Sequence, residues 1–218
     1  MRLAAQTIMG LCQGERPLIK PFSVDKLVIN GKSAGLSAAS YDCRIDHDLV
    51  LGLSPAEIIA KHIAAGKTVD ILWIDPWGKP QLKQHPDLVA ALEANPPMRA
   101  LAYTVEDFAF PDNISGDVAD KSSYARVFVS AFNTFFDPGF EGNATLELVN
   151  LGPEPVVYKK GDPVCQFLFS WLDRKTDRPY RGKFQHQTKK AHGARYEFAE
   201  GGYTEAPDMV RGGLRNQT

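Results

Sequence analysis

The chain has 218 residues, 44% of them hydrophobic and 23% charged, with a formal net charge of -1. That length suits one domain with a sizeable core, and the near-neutral charge excludes a general attraction to nucleic acid or anionic membrane, so a polyanionic ligand needs a local cluster of Lys and Arg. Cys12, Cys43 and Cys165 are too scattered for a disulfide framework, and no apolar stretch nears the roughly 20 residues that cross a bilayer, which leads to the expectation of a cytoplasmic protein with reduced thiols.

In chain order, Ala4 to Leu11 reads as a weak first helix rather than a signal peptide, since it lacks a basic region followed by a long apolar one. Pro17 and Pro21 punctuate the next stretch. A short strand is expected at LVIN, 27 to 30, and a longer one at SYDCRIDHDLVLG, 40 to 52. Ser54-Pro55-Ala56-Glu57 is a capping box with proline at the first helical position, so a helix should run to about Ala65 and stop at Gly66. TVDILWID, 68 to 75, looks like a buried strand before a turn at 76 to 79, and HPDLVAALEAN, 85 to 95, like a short helix.

From residue 99 the pattern becomes short strands at close spacing: RALAYTVED, NISGDVA, ARVFVSAF, ATLELVN, PVVYKK and VCQFLFSWL. Turn residues such as Asp137-Pro138-Gly139 and Gly161-Asp162-Pro163 separate them. That is the spacing of a β-barrel or jelly roll carrying a few helices. The polar tail after about His186 is expected to be mobile.

Zinc chemistry finds no support in the residues: none of the five histidines begins an H-x-E, and no C-x-x-C occurs. DKSSYAR, 120 to 126, places Lys121, Ser122, Ser123 and Arg126 in one turn. Two cations and two hydroxyls suit phosphate oxygens, and they equally suit a solvated β-turn. In ATLELVN, Leu146 and Leu148 share one face of a strand, and Thr145, Glu147 and Val149 the other. Glu147 is then either an exposed strand residue or a carboxyl whose half-apolar wall raises its pKa for proton transfer. DRPYRGKFQHQ, 177 to 187, interleaves Arg178, Arg181 and Lys183 with Tyr180, as a phosphate site or a basic surface loop would.

In order, these segments resemble the dCTP deaminase family of the dUTPase-like superfamily. SAASYDCRI is similar to that family's N-terminal strand, EDFAFPDNISGDVADKSSYAR to the stretch ending in its phosphate loop, FDPGFEGNATLELVN to its DPGF and TLEL motif, and DRPYRGKFQHQ to its RPY segment. The resemblance covers most of the chain outside about 53 to 98 and the last twenty or so residues.

It implies a mainly β, distorted jelly-roll fold of the dUTPase-like type in a single domain spanning 1 to 218, with a helical elaboration at about 53 to 98 and a mobile tail at about 190 to 218. It also implies a homotrimer with sites between subunits and a dCTP or dUTP triphosphate carrying Mg²⁺, with no zinc. Glu147 becomes the general base. Ser122 and Arg126 hold the nucleotide and the attacking water, and Lys121, Ser123, Tyr124 and Ala125 complete that loop. Asp137 sits at the deoxyribose, Thr145 and Leu146 line the base, and Tyr180, Lys183 and Gln187 hold the triphosphate.

Implied, then, is deamination of dCTP to dUTP and ammonia. The alternatives are a bifunctional enzyme that continues to dUMP, a plain dUTP diphosphatase using Asp137 to activate water, and a non-catalytic nucleotide-binding regulator. The stretch VFVSAFNTFF between Arg126 and Asp137 is about two residues shorter than the family's usual hairpin, which bears on the choice between cytosine and uracil.

Overall fold

The structure is a computed structural model describing residues 1–67 and 86–193, together with the backbone of 195–197 and 203–205. Helix α1 (Ala5–Leu11) is followed by strands β1 (Ile19–Lys20), β2 (Leu27–Ile29), β3 (Lys32–Leu36), β4 (Tyr41–Arg44) and β5 (Leu49–Leu51). Helices α2 (Pro55–Ala64) and α3 (Pro86–Ala94) come next. Then come β6 (Arg99–Ala109), β7 (Ile114–Asp120), a single turn α4 (Ser122–Ala125), β8 (Val129–Ala131), β9 (Phe135–Phe136) and β10 (Glu141–Asn150). Strands β11 (Val156–Tyr158), β12 (Pro163–Trp171), β13 (Arg195–Glu197) and β14 (Tyr203–Glu205) complete a mainly β chain.

The described strands form a four-stranded sheet of order β1-β6-β10-β8, a six-stranded sheet of order β2-β3-β4-β12-β7-β9, and two pairs, β5-β11 and β13-β14. All of the pairings are antiparallel. The two larger sheets pack face to face through alternating positions, because a strand sends every second side chain to the same side. Phe108 of β6 stacks on Phe167 of β12 with ring centroids 4.3 Å apart. Phe110, Phe136, Phe140 and Phe169 extend that layer of buried aromatic rings.

One inward position of β6 carries a charge. Glu106 is fully buried and lies where the β6–β10 register slips: Asn143 faces Asp107, yet Thr145 faces Tyr103. The two extra residues on β6 make a bulge. Thr104 Oγ1 donates to the Glu106 carbonyl at 2.7 Å and accepts from Ala144 N at 3.0 Å. Arg44, at the end of β4 in the other sheet, donates from Nε to Oε1 at 2.7 Å and from its backbone N to Oε2 at 2.9 Å. Burial still holds the Glu106 carboxyl above its ordinary range, against the pull of Arg44.

Ser54 caps α2 as the sequence predicts, accepting from Glu57 N at 3.2 Å, with Pro55 in the first turn. Its buried Ile58 and Ile59 meet Leu53 and Leu88 in a small cluster apart from the main core. The strand expected at 68 to 75 and its turn at 76 to 79 lie outside the described residues, while the second helix is α3.

Two strand expectations are corrected. The run 40 to 52 breaks into β4 and β5 because the chain changes sheets after Arg44: Ile45 N bonds to Asp162 O, Gly161 N to Ile45 O, and β5 then pairs with β11. ARVFVSAF is extended only over Val129–Ala131, because the amides of Arg126, Val127 and Phe128 turn back to the carbonyls of Ser122, Tyr124 and Ala125.

Removing Arg44 strands a buried carboxylate, so Arg44→Ala should lose about 3–5 kcal/mol of unfolding free energy at neutral pH. With the partner gone, the folded-state pKa of Glu106 rises further above its unfolded value. The folded state then binds the extra proton, so the deficit should shrink as pH falls toward 5. Urea denaturation at pH 7.5 and 5.5 checks both the size and the pH trend.

Candidate active site

The alternation of β10 divides its side chains as their order requires. Leu146 and Leu148 enter the core, and Thr145 and Glu147 open onto a pocket of about 190 Å³. Thr134, Phe135, Phe136, Asp137 and Phe140 form its second wall, and Tyr180, Phe184, Gln187 and His192 its third. Phe136 and Phe140 meet edge to face at 5.0 Å, and Tyr180 lies 5.9 Å from Phe140, so the pocket floor is continuous with the core.

Glu147 is half-buried in this apolar setting, and desolvation raises its pKa, opposed by hydrogen bonds from its own backbone N–H and from Thr134. Thr134 Oγ1 stands 3.2 Å from Oε2. A carboxyl in this state ionises with less than the usual ease, the direction that suits a group which accepts and returns a proton.

The segment bearing Tyr180 and Gln187 is tied along the start of β10. Tyr180 N donates to Pro138 O at 2.7 Å, Glu141 N to Gln185 Oε1 at 3.1 Å, and Gln185 Nε2 to Gly139 O at 2.8 Å. Gly142 permits the closest approach, since its φ is +130° and a Cβ there would lie 2.6 Å from Gln187 N. Thr145 Oγ1 then donates to Gln187 Oε1 at 2.7 Å and accepts from His192 N at 3.3 Å. Gln187 and His192 are thereby joined to β10, and His192 is buried. The tail expected to be mobile falls largely outside the described residues.

Of the residues the sequence nominated, Asp137, Thr145, Glu147, Tyr180 and Gln187 line this one pocket. The side chain of Leu146 is 1% exposed in the core, on the opposite face to Glu147, so any contact it makes with a base would be through its backbone. Lys183 Nζ stands over the Phe184 ring at 5.5 Å and is not among the lining residues.

None of residues 121 to 126 lines this pocket. Ser122, Ser123, Ala125 and Arg126 are exposed. Lys121 is instead 8% exposed, donating to Asp42 Oδ2 at 3.0 Å and Ser33 Oγ at 3.3 Å, which suits it to hold the loop rather than to meet a phosphate. Tyr124 is also buried, 4.7 Å from Tyr158, and anchors the turn. Sequence reasoning missed Thr134, Phe135, Phe136, Phe140, Phe184 and His192. The DPGF turn that brings Phe136 and Phe140 back together was visible as a turn, but no periodic signal marks His192.

A half-buried carboxyl facing a cleft rimmed by hydroxyl, amide and aromatic groups makes this pocket a candidate for acid–base chemistry. The chain belongs to the dCTP deaminase-like family, whose pattern matches residues 19–172. It is 31% identical over 179 residues to a dCTP deaminase of Campylobacter jejuni, covering 80% of this chain and 88% of that protein. It is 34% identical over 115 residues to a dUMP-forming dCTP deaminase of Methanosphaera stadtmanae, covering 50% of this chain and 58% of that one. The solved 2'-deoxycytidine 5'-triphosphate deaminase of Agrobacterium tumefaciens superposes with a TM-score of 0.44 at 18% identity, over 77% of this chain and 47% of that one.

Because the pKa of Glu147 is raised on folding, the charge of this residue opposes folding at neutral pH, and the opposition fades as pH falls toward the unfolded value. Glu147→Gln should therefore match or exceed the wild-type melting temperature at pH 8, with the gap narrowing by pH 5. Thermal unfolding followed by circular dichroism checks this, and a lower melting temperature at pH 8 contradicts it.

Proposed function

We propose that this protein hydrolyses dCTP to dUTP and ammonia, supplying uracil deoxynucleotide for thymidylate synthesis, with Glu147 as general base. The observation that carries this reading is the Glu147 carboxyl, half-buried in a pocket it shares with Asp137, Thr145, Tyr180 and Gln187. Membership of the dCTP deaminase-like family supports it.

Glu147 removes a proton from water as the water oxygen bonds to C4 of the cytosine ring, and the protonated carboxyl passes that proton to N3. The carboxylate then takes the remaining proton from the C4 hydroxyl and delivers it to the amino group. The C4–N bond breaks, ammonia leaves, and the C4 carbonyl of uracil forms. Ser122 and Arg126 orient that water and the nucleotide, and Asp137 meets the deoxyribose. Orientation rather than bond making is the contribution of the phosphate-binding groups.

Mg²⁺ would arrive with the triphosphate, whose oxygens are the hard ligands it takes. No zinc enters this reading.

Arg126 is exposed and does not line the Glu147 pocket, which supports a trimeric assembly in which a neighbouring copy brings Arg126 to Glu147. A second reading, continued hydrolysis to dUMP and diphosphate, is favoured by exposed Asp137 beside Glu147 in the same pocket.

With Mg²⁺ present, dCTP should yield dUTP and ammonia in equal amounts by chromatography, and EDTA should suppress turnover. Formation of dUMP from dCTP favours the second reading. Glu147→Gln should lose at least about a hundredfold in turnover, the scale of a removed general base, while still binding nucleotide. Wild-type turnover in that variant sinks the assignment.

Light scattering should give a trimer. Mixing Arg126→Ala with Glu147→Gln subunits should restore activity, because some mixed sites take an intact residue from each chain. Failure of that rescue puts the two residues in one chain.

A further inference from the structure

Thr134 lies in the short segment between β8 and β9, and its hydroxyl has two acceptors at equal distance. Oγ1 is 3.2 Å from Glu147 Oε2 and 3.2 Å from the Phe132 carbonyl oxygen. A hydroxyl carries one hydrogen and two lone pairs, so it can donate to only one of them at a time.

The backbone around it is pinned from both sides. Phe132 N donates to the carbonyl of Glu147 itself at 2.9 Å, and Val118 N on β7 donates to Thr134 O at 3.0 Å. Phe136, two residues on, is buried in the aromatic layer. The hydroxyl is thus held beside the carboxyl by main-chain bonds to two sheets.

We propose that Thr134 is the positioning residue for Glu147, its hydroxyl hydrogen turning from the carboxylate to the Phe132 carbonyl when Glu147 takes up a proton. This rests on the reading of Glu147 as the acid–base group. With Glu147 ionised, Oε2 can only accept, and Thr134 donates to it. With Glu147 protonated, the acid O–H donates to Thr134 Oγ1, and the threonine hydrogen moves to Phe132 O. The carboxyl therefore keeps a partner at every stage of its proton cycle, in surroundings where an unpaired polar group is costly. No proton is gained or lost by Thr134 in the cycle.

Other titratable or charged groups face Glu147 as well. Asp137, Tyr180 and His192 line the same pocket, and Arg99 and Tyr103 flank Leu101, its cross-strand partner on β6. Thr134→Val changes none of them and nearly conserves shape, so it isolates the hydroxyl.

Two readouts test the proposal. Carboxyl ¹³C NMR of glutamate-labelled protein, with Glu147 assigned against Glu147→Gln, follows the titration without any need for activity. The pH profile of kcat/KM for dCTP follows it during turnover. A hydrogen bond to a carboxylate is stronger than one to its neutral acid, so Thr134→Val should raise the Glu147 titration and the acid limb by about half to one pH unit. Plateau kcat should fall severalfold with KM little changed, and Thr134→Ser should restore both.

An unmoved Glu147 titration in Thr134→Val, or a serine variant that behaves as the valine one does, overturns the proposal. If the valine variant does not fold, Thr134→Ala is judged by the same two criteria. Full turnover in Glu147→Gln would defeat the proposed function instead, and the NMR titration would still decide the role of Thr134.

Discussion

The buried ion pair between Arg44 and Glu106 is the joint on which the arrangement turns. A carboxylate with no exposure is tolerable only with strong partners, and Arg44 supplies two charge-assisted hydrogen bonds from the opposite sheet. The pair fixes the separation of the two sheets where aromatic stacking alone would permit sliding. It also lies at the β6 bulge, next to the point where β10 changes register and begins to present Thr145 and Glu147. The scaffold and the site share one irregularity.

From that joint the site arises as a consequence of packing. The aromatic layer built on Phe108, Phe110 and Phe167 continues through Phe136 and Phe140 to Tyr180, so the pocket floor is an extension of the core. A rigid apolar floor keeps water from fully solvating Glu147, the physical origin of its raised pKa. The chain from 180 to 192 closes the cleft through backbone bonds to β10, with Thr145 joined to Gln187. The same threonine and glutamine side chains that line the pocket also hold its wall in place.

Much of this was legible in the residue order, for local reasons. The Ser54 cap, the alternation of β10 and the turn at Asp137-Pro138-Gly139 are short-range features, written in the spacing of neighbouring residues. The ordered motifs KSSYAR, DPGF and TLEL pointed to the family that the match over residues 19–172 then established. The reading faltered where non-local bonds decide. Strand 40 to 52 broke because Ile45 found Asp162 and Gly161, and Lys121 turned inward because Asp42 waited across the sheet.

By itself, then, the sequence determined the strand-rich class, the helix start at Ser54, the face on which Glu147 stands and the family to which the chain belongs. These rest on periodicity, capping and motif order, all of which act within a few residues or survive as fixed patterns. Tertiary structure alone decided that Glu106 is matched by Arg44, that His192 lines the pocket and that Thr134 stands beside Glu147. Each of those joins residues 13 to 62 positions apart or sets burial by contacts from several strands. No local rule encodes which distant partner a side chain will meet.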